Sequence, residues 1–100
     1  MAFDMYIGNQ HDSIDVQEEY ILSMIDGDEK EYPQLNKMHL NFYGNVVFSS
    51  LEASELIFEL LKLNSLNIYS NAQFKLLILR LSSFFSIAVR KNQEIICAGD

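Results

Sequence analysis

Apolar residues change their spacing along this chain, and each change marks a different element. Phe3-Asp4-Met5-Tyr6-Ile7 alternates and stops at Gly8-Asn9, which predicts a short strand with Phe3, Met5 and Ile7 turned inward. Glu94-Ile95-Ile96-Cys97, ahead of Ala98-Gly99-Asp100, is a second β-like run. A lone strand leaves its backbone groups unpaired, so the two runs are expected to pair with each other.

Between them the spacing is helical. Asp15 stands three residues before Glu18, as in a capping box, and Val16, Tyr20, Ile21, Met24 and Ile25 recur until Gly27, predicting a helix over 16–25. Glu18 and Glu19 fall in its first turn, where the helix dipole favours negative charge. Pro33 is placed to open a second helix with Leu35, Met38 and Phe42 on one face, ended by Gly44-Asn45. Val46-Val47-Phe48 has no readable period and fits either an extended run or a buried loop.

Ser50 is the expected N-cap of a third helix over 51–63, with Ala53, Leu56, Ile57, Leu60, Leu61 and Leu63 facing the core and Glu52, Glu55, Glu59 and Lys62 outside. The fourth and longest helix is expected over 71–90, capped by Ser70. Phe74, Leu77, Leu81, Phe84, Phe85 and Ala88 form its main stripe, and Leu76, Ile78, Leu79, Ile87 and Val89 make it apolar nearly all round. Such a helix belongs in the centre of a fold. Its narrow polar strip holds Arg80, which if partly buried needs a carboxylate or carbonyl partner, and an acid beside it would serve the structure. The expected fold is α+β and mostly helical, with about four helices and a small two-stranded β-ribbon pairing the N- and C-terminal segments, in a single domain over 1–100.

Composition supports a folded domain, with 49% hydrophobic and 21% charged residues. The formal charge of -7 changes the functional picture. Residues 1–31 hold nine carboxylates against Lys30 alone, whereas the rest of the chain carries five acids and six bases. Such a surface excludes nucleic acid or an anionic membrane as a natural partner and favours a basic protein. The N-terminal stretch lacks the basic and apolar segments of a signal peptide, and the apolar run over 76–89 is short for a bilayer and broken by Arg80, Ser82, Ser83 and Ser86. A cytoplasmic protein is therefore expected. Cys97 is the one cysteine, which rules out an intramolecular disulfide.

Catalytic patterns are missing, and neither enzyme activity nor a metal or cofactor is expected. His11 and His39 have no second ligand at helical spacing, and His11-Asp12 reads as a solvated loop pair. A calcium loop beginning at Asp26 would need Gly at its sixth place and Glu at its twelfth, where Glu31 and Lys37 stand. The four glycines are scattered singly, and the surroundings of Cys97 resemble no reactive-thiol motif. What remains is an acidic stretch that can steer a basic partner, with Tyr6, Tyr20, Tyr32 or Tyr43 as aromatic anchors. Charge clustering selects Asp12, Asp15, Glu18, Glu19, Asp28, Glu29 and Glu31 as the candidate partner-binding residues.

The opening Met-Ala-Phe-Asp-Met-Tyr-Ile-Gly, the middle Ser49-Ser50-Leu51-Glu52-Ala53-Ser54-Glu55-Leu56-Ile57-Phe58-Glu59-Leu60-Leu61 and the closing Arg80-Leu81-Ser82-Ser83-Phe84-Phe85-Ser86-Ile87-Ala88 give the chain a layout. In that layout it resembles the small acidic immunity proteins of bacterial toxin and immunity pairs, including those of contact-dependent growth inhibition. The resemblance implies a cytoplasmic bacterial protein that binds one cognate toxin with a basic surface, often a nuclease, and blocks its active site. Two other classes fit the same residues: a nucleic-acid mimic that inhibits a nucleic-acid-binding protein, and a small regulatory domain whose helices enclose an apolar ligand pocket.

Overall fold

The computed structural model describes residues 2–66 and 72–99. Its sheet has four antiparallel strands, β1 (Ala2–Ile7), β2 (Gln10–Asp15), β3 (Asn45–Phe48) and β4 (Ile95–Ala98), in the spatial order β2-β1-β4-β3. The terminal segments do pair, Asp4 with Ala98 and Tyr6 with Ile96, but they form the middle of this sheet and not a two-stranded ribbon. The additional strands are the two edges. Gln10-His11-Asp12-Ser13-Ile14-Asp15 has one apolar residue, so no hydrophobic alternation advertises it; it is a strand because it folds back on β1 in a hairpin, with Phe3 opposite Ile14 and Ile7 opposite Gln10. Gly8 takes the left-handed φ of 58° that this two-residue turn requires. Residues 46–48, ambiguous by period, are extended along β4.

Phe3, Met5, Ile7, Ile14, Phe48, Ile95 and Cys97 are buried on one face of the sheet and join a single core cluster with the helices. Tyr6, Val47 and Ile96 point to the other face and stay exposed. The molecule is thus two layers, with helices on one side of the sheet and water on the other.

The segment over 16–25 is not one helix. It makes a 3-10 turn at Val16–Glu18, a single α-helical turn α1 (Tyr20–Ser23), and further turns up to Gly27, whose φ is 91°. Ile21, Leu22 and Ile25 pack inward, while Val16 is half exposed. Helix α2 (Pro33–Leu40) opens on Pro33 as expected and ends before Phe42, which lies beyond it with its ring stacked on Phe3 at 5.3 Å. The N–H groups of Gln34 and Leu35 at its start are capped from a distance by Glu59, which accepts them at 2.9 to 3.1 Å. Glu59 is therefore 3% exposed and not an outer decoration.

Helix α3 (Ser50–Leu66) is capped by Ser49, one residue before the expected Ser50. The Ser49 hydroxyl accepts the Glu52 N–H at 3.1 Å and the Glu52 carboxylate accepts the Ser49 N–H at 2.8 Å, a reciprocal capping box. Leu61, expected in the core, is exposed together with Leu51 and Phe58. Helix α4 (Ala72–Lys91) packs along α3 and buries Phe74, Leu77, Ile78, Leu81, Phe84, Phe85 and Ala88. It is not central on all sides, because Leu76 and Leu79 are each 64% exposed. By length and composition α4 could also cross a bilayer, although the shorter apolar run within it did not suggest this. The expected cap Ser70 and first residue Asn71 lie outside the described residues.

Candidate functional site

The acidic third of the chain divides into side chains with a structural partner and side chains without one. Arg80 reaches from α4 to the end of β2. Its Nη1 and Nη2 donate to both oxygens of Glu18 at 2.9 and 3.1 Å, its Nε lies 3.4 Å from Asp12, and Nη2 also donates to the Ser13 carbonyl at 2.8 Å. The two-pronged contact is the geometry for which a guanidinium is suited. Hydrogen bonding from Arg80 holds the Glu18 carboxyl below the usual carboxylate value against the opposing effect of burial, and the Asp15 N–H adds to the lowering. Asp12 and Glu18 are therefore fastenings of the fold.

These bonds land on the outer edge of β2. Glu18 accepts the Asp15 N–H at 3.0 Å, Asp12 accepts the Ser13 N–H at 2.7 Å, and Arg80 takes the Ser13 carbonyl. An edge strand offers such groups to any passing strand, and here side chains already occupy both groups of Ser13 and the N–H of Asp15.

The remaining candidates lie elsewhere along 15–31. Glu31 accepts from Lys62 at 2.7 Å, and Lys62 also sits 5.1 Å from the centre of the Tyr32 ring. Tyr32 itself is 4% exposed, so it is a core residue and not a surface anchor. Glu29 accepts the Gly27 N–H, which holds its carboxyl below the usual value. Glu19 accepts the hydroxyl of exposed Tyr43 at 3.0 Å, an acid beside an available aromatic ring. Asp15 is exposed at the end of β2. Asp28, and with it Asp26, is exposed and has no side-chain hydrogen bond or ion pair among the described residues. His11 is in strand β2 and not in a loop; it bonds Asp4 at 3.1 Å and its ring lies 4.9 Å from that of Tyr6 on the open face of the sheet.

Two surface grooves flank this region. One, of about 370 Å³, runs between the 3-10 turn and α4, with Tyr20 and Leu76 on its walls and the Glu18–Arg80 pair along it. The other, of about 470 Å³, lies between Pro33 and α3 and combines Phe58 with Glu31, Glu55 and Glu59. Burial pushes the Glu59 carboxyl up from its usual value, against the lowering effect of the Leu35 and Gln34 N–H groups. Phe58 is 70% exposed. It escaped the sequence reading, although a signal was there: it falls opposite the stripe Ala53, Leu56, Leu60 and Leu63, where a phenyl ring has no core to enter.

Chemically this is a surface of carboxylates, phenols and one phenyl ring. Cys97 is buried in β4, and burial pushes its thiol up to about 12, so almost no thiolate exists at neutral pH. Among the described residues, no group of three or more His, Cys, Asp or Glu side chains is placed to hold a metal ion. Comparison with family models, with curated proteins and with solved structures found no match to this chain.

Proposed function

We propose that this chain is a protein-binding inhibitor of the immunity type, which neutralises a basic toxin by laying the α1 side of the molecule over the toxin's active-site cleft. The carrying observation is the acidic arc from Glu19 to Glu31. Its carboxylates are exposed apart from half-buried Glu19, the side chains of Asp26 and Asp28 are committed to nothing within the described fold, and Tyr20 and Tyr43 stand 43% and 53% exposed beside them. Unpaired acids raise self-repulsion within the chain, and a basic surface removes that repulsion while being drawn in by long-range attraction. Tyrosines at such a place add large, stiff contact area with a polar tip, as binding hot spots do.

The binding set on this reading is Asp15, Glu19, Asp28 and Glu29, joined by Asp26 and the rim of Glu31, Glu55 and Phe58. Asp12 and Glu18 drop out of it, because drawing them to a partner would strip Arg80 and reopen the β2 edge. The test is co-expression of the tagged chain with its native genomic neighbours, isolation of the complex and identification of what accompanies it. One basic protein in near-equal amount is expected. Asp26→Lys with Asp28→Lys should then slow association and flatten its dependence on salt. Isolation of the chain alone, or charge reversal without effect on the rate, contradicts the proposal.

A further inference from the structure

The hydrogen bonds on the outside of β2 also fix where every other backbone group of the sheet points. Ser13 and Asp15 turn their groups outward, so Asp12 and Ile14 bond β1. Along an antiparallel ladder the direction alternates residue by residue. Asp4 and Tyr6 therefore bond Ala98 and Ile96 of β4, and Cys97 and Ile95 bond Val46 and Phe48 of β3. This leaves the N–H and C=O of Asn45 and Val47 facing out from the far edge. Among the described residues no side chain or loop hydrogen-bonds them, in contrast to the occupied groups of Ser13 and the Asp15 N–H on β2.

We infer that this edge is a contact between two copies of the chain, which pair β3 against β3 in antiparallel fashion to make one eight-stranded sheet. The pattern is self-complementary. With the two-fold axis through Val46, Asn45 of each copy meets Val47 of the other, and all outward groups of both residues are paired. Val47 is 44% exposed on the open sheet face, in one row with Tyr6 and Ile96 across β1 and β4, and pairing carries that row on into the second copy.

Charge selects the second copy over the basic partner proposed above. Residues 45–48 carry no charge, so nothing in this edge draws a basic protein. The acids of β2 itself, Asp12 and Asp15, lie on the opposite edge, and the order β2-β1-β4-β3 puts two strands between. Neighbouring strands are about 4.8 Å apart, so the two edges are separated by more than a Debye length of about 8 Å at physiological salt. Copies meeting at β3 keep Asp12 and Asp15 of the two β2 strands apart, whereas copies meeting at β2 would press them together. The pairing also leaves the α1 side of both copies open, so this inference and the proposed function stand or fall separately.

Sedimentation equilibrium on the full chain tests it. Its mass is 11.5 kDa, and a reversible species of twice that mass is expected, with dissociation in the micromolar range that a short contact supports. Val47→Lys places a charge on each side of the axis, opposite Asn45 of the other copy, and Val47→Pro removes an outward N–H; both should be monomeric with an unchanged far-ultraviolet circular dichroism spectrum. Val16→Lys, on the β2 side, should still dimerise. A wild-type chain that stays monomeric at millimolar concentration overturns the inference, and so does a dimer that persists in both Val47 variants, which would place the contact elsewhere, such as the exposed Leu76 and Leu79 of α4.

Discussion

The two edges of the sheet are built from opposite materials. β2 is polar, with Ile14 as its one buried side chain, and it owes its place to a hairpin turn and to the fastening by Arg80, Asp12 and Glu18. β3 is apolar and short, and within the sheet it is held by β4 alone, while its outward groups are left unoccupied. The difference teaches that acidity in this chain has two uses. Carboxylates at the β2 end close backbone groups and hold a guanidinium, and Asp26 and Asp28, a little further along, keep their charge turned outward. A residue's sign is the same in both cases, and only its partner separates them.

The sharpest way to break the comparison is proline, which removes one N–H. Val46→Pro deletes a ladder bond to Cys97 and should cost about 3 kcal/mol or more, whereas Val47→Pro deletes an outward N–H and should cost less than about 1 kcal/mol in the monomer. Urea denaturation of the two variants side by side checks this. Next in size is Gly99→Ala. A Cβ there would collide with the Phe42 carbonyl oxygen and come within 2.9 Å of the Tyr43 Cα, and the bond from the Gly99 N–H to the Gly44 carbonyl anchors the start of β3. Backbone has to move, so a loss of about 2 kcal/mol in the same assay is expected.

Arg80→Met tests the other edge. It should cost about 1 kcal/mol at neutral pH, because Asp12, Glu18 and Arg80 all keep contact with water. The Glu18 carboxyl is held below its unfolded value, so its contribution is complete above that value and is lost as pH falls through the lower, folded one. Stability curves of wild type and Arg80→Met should therefore converge in acid. The smallest effect is kinetic. Cys97 pairs with Met5 on one side and Val46 on the other, and its thiol is masked by burial. Labelling by an aromatic disulfide reagent should be slow in wild type, faster in Gly99→Ala, and little changed in Arg80→Met.

How much of this could be read from residues depended on whether a local pattern carried it. Phe3, Met5 and Ile7 announce β1 because alternate positions are apolar, and the stripe from Phe74 to Ala88 announces α4. β2 has no such pattern: its strand character comes from a turn at Gly8 and from bonds to Glu18 and Arg80, residues in other elements. The helix expected over 16–25 had a sound period, but the chain must reverse there after an edge strand, and Glu18 is drawn into closing that edge. The same lack of distant information misplaced Glu59, which looks like an outer residue of α3 until the start of α2 brings its bare N–H groups alongside. Arg80 was legible as needing an acid, since a cation in an apolar helix has few alternatives, but the identity of that acid was not. Asp12 and Glu18 were therefore grouped with acids they do not resemble in role.

Neutralising the two acidic sets separately tests that division most directly, by comparing denaturation of Asp12→Asn with Glu18→Gln against that of Asp26→Asn with Asp28→Asn. The first pair should lower stability by about 1 to 2 kcal/mol, since it takes both negative charges from Arg80 and weakens the charge-assisted bonds that close the β2 edge. The second pair should leave stability unchanged or slightly raised, because it removes repulsion and no bond. Equal losses in both, or a loss confined to the second pair, would contradict the account.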